Sequence, residues 1–246
     1  MIVGFCGAGS MAAAMARGLA SEVEGMVFTD FGSGRAAALA EELGGEAVGS
    51  NRELAEKADV VVLAVKPAKL TEVAAELEAA SAVVSLLGAT SLDVVRAAVP
   101  GAEVARVMPN VAVEVRRGVL CLAGDAGPEL RRLLGALGHL IELPDTQFDA
   151  ATAVMGCAPA YLALAVEAIA DAGSEAGLDE GLARELVVET TAGTAELLRE
   201  RHPADLRAAV ASPGGSTEAG LEALEREGAR GAFEAAVRAS LERMQT

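Results

Sequence analysis

The chain has 246 residues, 52% of them apolar and only 2% aromatic, and its 20 basic against 36 acidic side chains give a formal charge of −16. That length allows two domains or one large one, with a core that has to be built from Ala, Val and Leu. A field of this sign repels nucleic acid and anionic membranes, so an anionic cofactor has to be held by local N–H groups.

The chain opens on the apolar run Ile2 to Cys6, then Gly7-Ala8-Gly9-Ser10-Met11-Ala12. This reads as a strand, a glycine turn and a helix, with a G-x-G-x-x-A dinucleotide fingerprint. Gly7 permits the tight turn, Gly9 lets a diphosphate approach the backbone, and Ala12 lets the helix lie close to the strand. The N–H groups of the helix start, from Ala8 through Ser10 and Met11, face the phosphates with a partial positive charge. A second strand, Met26 to Thr29, ends at Asp30. An acid there either takes the ribose hydroxyls of NAD or caps the next helix, Arg35 to Leu43. Ser33 and Arg35, just beyond, suit a 2′-phosphate instead; the balance tips slightly toward NAD.

Val60 to Val65 is a continuous apolar run, as in a strand buried on both faces. It ends in Val65-Lys66-Pro67, where parallel sheets bind ligands, so these three join the cofactor candidates; a solvated lysine beside a strand-ending proline is the alternative. Further strands are expected at Val83 to Leu87, Glu103 to Met108, Gly118 to Leu122 and Leu140 to Leu143. The second of these ends in Met108-Pro109-Asn110 and offers Asn110 to the crevice or to a turn. The βα alternation argues for a mainly parallel, doubly wound sheet with helices on both faces.

After Pro144 the chain turns rich in Ala, Leu and Glu at helical spacing, punctuated by Gly173, Gly177, Gly181 and Pro203. The division expected is a dinucleotide-binding domain over 1–146 and an all-helical domain over 147–246. So few aromatics make a thin helical core, which packing against a second copy would enlarge. Gly156-Cys157-Ala158-Pro159 opens a long helix whose N–H groups suit a carboxylate. Ser212-Pro213-Gly214-Gly215-Ser216-Thr217 forms an anion cradle of N–H and O–H donors, or else an ordinary helix cap. The 3 cysteines and 2 histidines have no metal-ligand spacing, so no metal is expected. No basic leader is evident and no apolar stretch reads as long and uninterrupted enough to span a bilayer, so the expectation is a soluble cytoplasmic protein without nucleic-acid or membrane partners.

Taken together and in this order, these motifs resemble the pyrroline-5-carboxylate reductase family across essentially the whole chain. The residues that carry the resemblance are Gly7-Ala8-Gly9, Val65-Lys66-Pro67, Met108-Pro109-Asn110, Thr152-Ala153 before Gly156 to Tyr161, and His202-Pro203 through Leu206 and Val210 to Ser212-Pro213-Gly214-Gly215-Ser216-Thr217. The resemblance implies a Rossmann domain, a helical dimerisation domain, and reduction of 1-pyrroline-5-carboxylate to L-proline by NADPH or NADH in a homodimer or higher homo-oligomer. It implies that Gly214, Gly215, Ser216 and Thr217 hold the substrate carboxylate and ring nitrogen, and that Gly156 and Cys157 face them. Thr217 and Lys66 are the catalytic candidates. The sequence departs from the family at four places: Cys157 stands for serine, Val111-Ala112 for Thr-Pro, Leu87-Gly88-Ala89 for Ala-Ala-Gly, and Ala208 for aspartate. Two alternatives follow, reduction of another cyclic imine and a non-catalytic NAD(P)-binding protein.

Overall fold

The computed structural model describes residues 1–244. Among these, the strands β1 (Ile2–Cys6), β2 (Gly25–Thr29), β3 (Glu46–Ala47), β4 (Val60–Leu63), β5 (Ala82–Ser85), β6 (Glu103–Pro109), β7 (Gly118–Gly124) and β8 (Gly138–Glu142) form one sheet. Their order is β3-β2-β1-β4-β5-β6-β7-β8. Every pairing is parallel except β6 with β7. That exception has a plain cause. Only the short 3₁₀ turn Val111–Val115 and its flanks join these two strands, and a parallel return needs a crossover of a dozen or more residues.

The strand order reverses between β1 and β4, which opens a crevice at their carboxyl ends. Val60–Leu63 is buried throughout, as its unbroken apolar sequence requires of a strand covered on both faces. One covering layer holds α1 (Ser10–Leu19), α2 (Arg35–Leu43) and, further along the chain, α6 (Pro128–Gly135); its core includes Met15, Leu39 and Leu133. The other holds α3 (Asn51–Lys57), α4 (Leu70–Ala74) and α5 (Leu92–Ala98), with Leu54, Val73 and Val95. Helix α1 lies close in because its inner face is small: Ala12, Ala14, Ala16 and Gly18 are buried. A Cβ on Gly18 would stand 2.3 Å from the Val113 carbonyl oxygen.

By contacts, the first compact unit runs from Met1 to Cys157 and takes in the described residues from Leu241 on; the second is Ala158–Ser240. The first therefore includes α7 (Phe148–Ala151) and a π turn, Thr152–Gly156. The second contains α8 (Ala158–Glu175), α9 (Glu180–Leu197), α10 (Pro203–Val210), α11 (Ser216–Arg226) and the larger part of α12 (Ala229–Met244). Asp179 caps α9 by accepting from the Leu182 N–H, and His202 Nδ1 caps α10 by accepting from the Ala204 N–H. Tyr161 ties α8 to α12 through its hydroxyl, which meets Ala236 O and Ser240 Oγ.

One expectation is corrected. Asp145–Glu175 is, by length and composition alone, long and apolar enough to cross a membrane, with an 18-residue stretch inside it whose mean hydropathy is 1.7. The long helix expected to open at Gly156-Cys157-Ala158-Pro159 does so, as α8, and a π turn stands directly before it.

Candidate active site

At the crevice the sequence motif becomes geometry. Gly7 has φ +98°, and a Cβ there would lie 2.6 Å from the Ala64 carbonyl oxygen, so the fold itself demands glycine. Gly9 is different. A Cβ on Gly9 would meet nothing within 4 Å, and its φ is an ordinary −77°. The fold leaves that space open. Gly9 is also the N-cap of α1, which has no side-chain cap and no acid in its first turn. The N–H groups of Ser10, Met11 and Ala12 therefore lack the acceptor a capped helix provides, the arrangement that receives a phosphate. Ala12 is fully buried and Met11 packs partly into the core, so both contribute backbone rather than side chain here.

A cleft of about 430 Å³ spreads from this turn. Gly7, Ala8 and Gly9 form its base, Val65 and Lys66 one side, and Asp30, Ser33 and Arg35 the other. Phe31 and Lys69 complete it, neither of which the sequence analysis singles out. The Lys69 ammonium sits 5.6 Å from the centre of the Phe31 ring. Phe31 is 58% exposed in a chain with 5 phenylalanines, a flat apolar surface left open at a ligand cleft. In a chain of charge −16, two of its three lysines and an arginine converge on this cleft.

Asp30 is not turned toward a ligand. Its Oδ1 accepts from the N–H groups of Gly32 (2.7 Å) and Ser33 (3.1 Å), and its Oδ2 from Ser33 Oγ (2.8 Å) and the Ala36 N–H (2.9 Å). A carboxylate has about four acceptor sites, and all are filled within this loop. Burial alone would raise the Asp30 pKa; the donors, Ala36 N–H first, outweigh it and hold the carboxyl below its usual range. Of the two readings the sequence allows, the helix cap is the one the geometry favours. The loop also presents Ser33 and Arg35 as a pair, with Arg35 Nε donating to Ser33 Oγ (3.1 Å).

Asn51 is a further residue that sequence reading passes over. Its Oδ1 accepts from Thr29 Oγ1 (2.7 Å) and from the Cys6 thiol (3.1 Å), both at strand ends beside the crevice. Burial pushes the Cys6 thiol up to about 12, so it stays a neutral donor. Pro67 starts a 3₁₀ turn, Pro67–Lys69, outside the cleft lining. Met108 near the end of β6, and Asn110 just past it, lie at the same carboxyl edge of the sheet but are not part of that lining either. The Asn110 amide is engaged with the chain itself: its Oδ1 accepts from the Val119 N–H (3.2 Å) and its Nδ2 donates to Met155 O (3.3 Å).

In the helical unit, Gly215 is the N-cap of α11; it makes no side-chain cap, and Glu218 stands in the first turn. Gly214 has φ +72°. Its N–H is taken by Glu218 Oε2 (2.6 Å) and that of Gly215 by Ser212 O (2.9 Å). The two glycines thus shape the turn, and the N–H groups of Ser216 and Thr217 are the uncommitted ones. The Thr217 hydroxyl is exposed and makes no hydrogen bond among the described residues. In the sheet unit, Cys157 is half-buried, and its N–H already bonds Thr152 O (3.2 Å), which leaves its thiol as the group it can offer.

A sheet with a reversal point, a bare helix start and a cation-lined cleft at its carboxyl edge defines a dinucleotide-dependent oxidoreductase of Rossmann type. The family model for NADP oxidoreductase, coenzyme F420-dependent, matches residues 2–90, and that for pyrroline-5-carboxylate reductase dimerisation matches 145–246. A pyrroline-5-carboxylate reductase of Synechocystis is 39% identical over 79% of this chain and 77% of its own. Pyrroline-5-carboxylate reductase 3 of Mus musculus is 35% identical over 97% of this chain and 93% of its own. The crystal structure of Plasmodium falciparum pyrroline carboxylate reductase with NADP bound superposes with a TM-score of 0.88 at 26% identity, covering 99% of this chain and 97% of that one. The chain belongs to the pyrroline-5-carboxylate reductase family.

Proposed function

We propose that this chain reduces the C=N bond of 1-pyrroline-5-carboxylate to L-proline, in the making of that amino acid, as a homo-oligomer that prefers NADPH. The observation that carries the reading is the pair of uncapped helix starts, α1 at Gly9 and α11 at Gly215, one suited to a diphosphate and one to a small carboxylate. When bound, the reduced nicotinamide supplies the hydride. The chain's own residues do the positioning. The N–H groups of Ser10, Met11 and Ala12 would take the diphosphate, and those of Ser216 and Thr217 the substrate carboxylate. Protonation at the imine nitrogen makes the neighbouring carbon electrophilic, and the Thr217 hydroxyl would donate that proton or order the water that does. Lys66 would stand at the cofactor and lower the cost of its negative charge. Gly156 and Cys157 would complete the carboxylate site.

The preference for NADPH rests on the loop after β2. A carboxylate whose acceptors are spent inside its own loop has none left for ribose hydroxyls, and it presents Ser33 and Arg35, flanked by Lys66 and Lys69, to a 2′-phosphate. No membrane or nucleic-acid partner belongs to this reading, and the location proposed is cytoplasmic. The Cys157 thiol is a weaker donor than the serine it replaces, and it favours a second reading, a different cyclic imine with a smaller demand on that site.

Following loss of reduced-nicotinamide absorbance with pyrroline-5-carboxylate tests this directly. Turnover is expected, and none on a panel of cyclic imines would sink both readings. Thr217→Ala is expected to lower kcat by at least about tenfold with cofactor affinity unchanged. Arg35→Ala is expected to cost about 10- to 100-fold in kcat/KM with NADPH, the worth of a charge-assisted hydrogen bond, and little with NADH. Equal losses with the two cofactors would remove Arg35 from discrimination.

A further inference from the structure

Helix α8 is preceded by a backbone defect with a visible cause. In a regular helix the Met155 carbonyl would accept from the N–H of residue 159, and residue 159 is proline. Proline has no N–H, and a proline at i+4 also crowds that carbonyl. The chain answers by widening to a π turn, in which the Cys157 N–H reaches back to Thr152 O (3.2 Å). Such turns gather at functional sites. The donor that Pro159 cannot supply comes from elsewhere: Asn110 Nδ2 donates to Met155 O at 3.3 Å. Asn110 is itself immobilised. It is 9% exposed, its Oδ1 accepts from the Val119 N–H, and its own N–H donates to Val119 O (3.1 Å).

The same strand pins the same segment a second time. Arg106, 4% exposed on β6, donates from Nη1 to Asp145 Oδ1 (2.8 Å), and its guanidinium lies 4.6 Å from the centre of the Phe148 ring. Four strand residues separate the two pins, about 13 Å. Seven helical residues separate Phe148 from Met155, about 10 Å. The segment is thus held in register along β6 at both ends.

We propose that Asn110 is a positioning residue for the imino-acid site: by replacing the hydrogen bond that Pro159 lacks, it holds the π turn open and so aims Gly156 and Cys157 at the substrate carboxylate. This rests on the function proposed above. It ties together two motifs far apart in sequence, the Asn of Met108-Pro109-Asn110 and the Pro of Gly156-Cys157-Ala158-Pro159. It also gives Asn110 a task at the substrate rather than at the cofactor.

Asn110→Asp is the discriminating variant. It keeps the shape and the acceptor for Val119, replaces the donor to Met155 with an acceptor and adds a negative charge, for which the neutral Asn110→Ala is the control. The KM for pyrroline-5-carboxylate is expected to rise at least about tenfold, with kcat and the NADPH dissociation constant within about twofold. Hydrogen exchange over 153–157 is expected to quicken, while that over 7–13 holds. Asn110→Ala, which removes both bonds, should show the same pattern. Adding Pro159→Ala to Asn110→Asp returns a backbone N–H to Met155 and is expected to slow exchange over 153–157 again. A rise in the NADPH dissociation constant with an unchanged imino-acid KM would overturn the proposal and put Asn110 at the cofactor. Unchanged exchange in Asn110→Asp would overturn it too. Should the wild type fail to turn over pyrroline-5-carboxylate, the substrate assignment falls by itself, and the exchange measurements alone decide the clamp.

Discussion

Two glycines two residues apart in one motif separate fold from function at the level of single atoms. Gly7 is glycine because of the protein: its φ of +98° and the Ala64 oxygen 2.6 Å from its missing Cβ leave no choice. Gly9 is glycine because of something else, since the protein puts nothing within 4 Å of that Cβ. Gly7→Ala is therefore expected to destabilise the fold by more than about 1 kcal/mol, the left-handed penalty plus a steric one, and to lower the urea midpoint. Gly9→Ala is expected to shift stability by less than about 1 kcal/mol and to weaken NADPH binding at least tenfold by fluorescence titration. Unimpaired binding in Gly9→Ala would mean that the diphosphate does not use this turn. The strand, the turn and both glycine roles are legible in sequence because they depend on residues within one strand–turn–helix unit. Phe31, Lys69 and Asn51 are not, because their places in or beside the cleft depend on which strands neighbour each other. The Asn110 bond to Met155 spans 45 residues, and its only local trace is a proline four residues after a carbonyl.

At the scale of elements, the loop from Asp30 to Ala36 behaves as a unit organised by one carboxylate. Helix α2 has a left-handed glycine, Gly34 (φ +78°), at its N-cap and no side-chain cap from that residue; Asp30 reaches across to the Ala36 N–H instead. A sequence reading that counts from the strand end finds Asp30 and leaves a ribose contact and a helix cap both open, because spacing alone does not tell which hydrogens the carboxylate will meet. Its pKa is depressed in the folded state. The sign follows from linkage: the stabilisation is complete above the unfolded carboxylate's pKa of about 3.9 and is lost as pH falls through the lower folded value. Asp30→Asn removes the Oδ2 acceptor. It is expected to cost about 0.5–2 kcal/mol near neutral pH, as a lost helix cap does, and to blunt the preference for NADPH by loosening Ser33 and Arg35. The gap in stability from wild type should close in acid as the native carboxyl takes up its own proton. A gap constant down to pH values below that titration would show that the charge on Asp30 has no part in the cap. The two-residue β3 escapes sequence reading for a simpler reason: Glu46 and Ala47 are both exposed, so no apolar pattern marks them.

For the whole molecule the question is what covers the helical unit. Its buried apolar residues, among those described, are Ala170, Ala183 and Leu206, too few and too small to hold about eighty residues together. Meanwhile Leu162, Leu164 and Ile169 on α8 are 57%, 66% and 59% exposed. Each would gain roughly 1.5–3 kcal/mol on full burial. This is also the stretch whose hydropathy suits a membrane, and a second copy of the chain meets the same need in water. Aggregate charge argues the same way: at −16 two copies repel at long range, so the contact has to be apolar and local, as these side chains are. The wild type is expected to sediment as a dimer or larger, and its Tm to rise with protein concentration, because association stabilises only the folded chain. Leu164→Glu puts a charge into that contact and is expected to yield a smaller species with a lower, concentration-independent Tm, or an aggregate if the monomer does not hold. A wild type that sediments as a monomer at micromolar concentration, with a Tm indifferent to dilution, would leave the exposed leucines without an explanation in water and return attention to the bilayer.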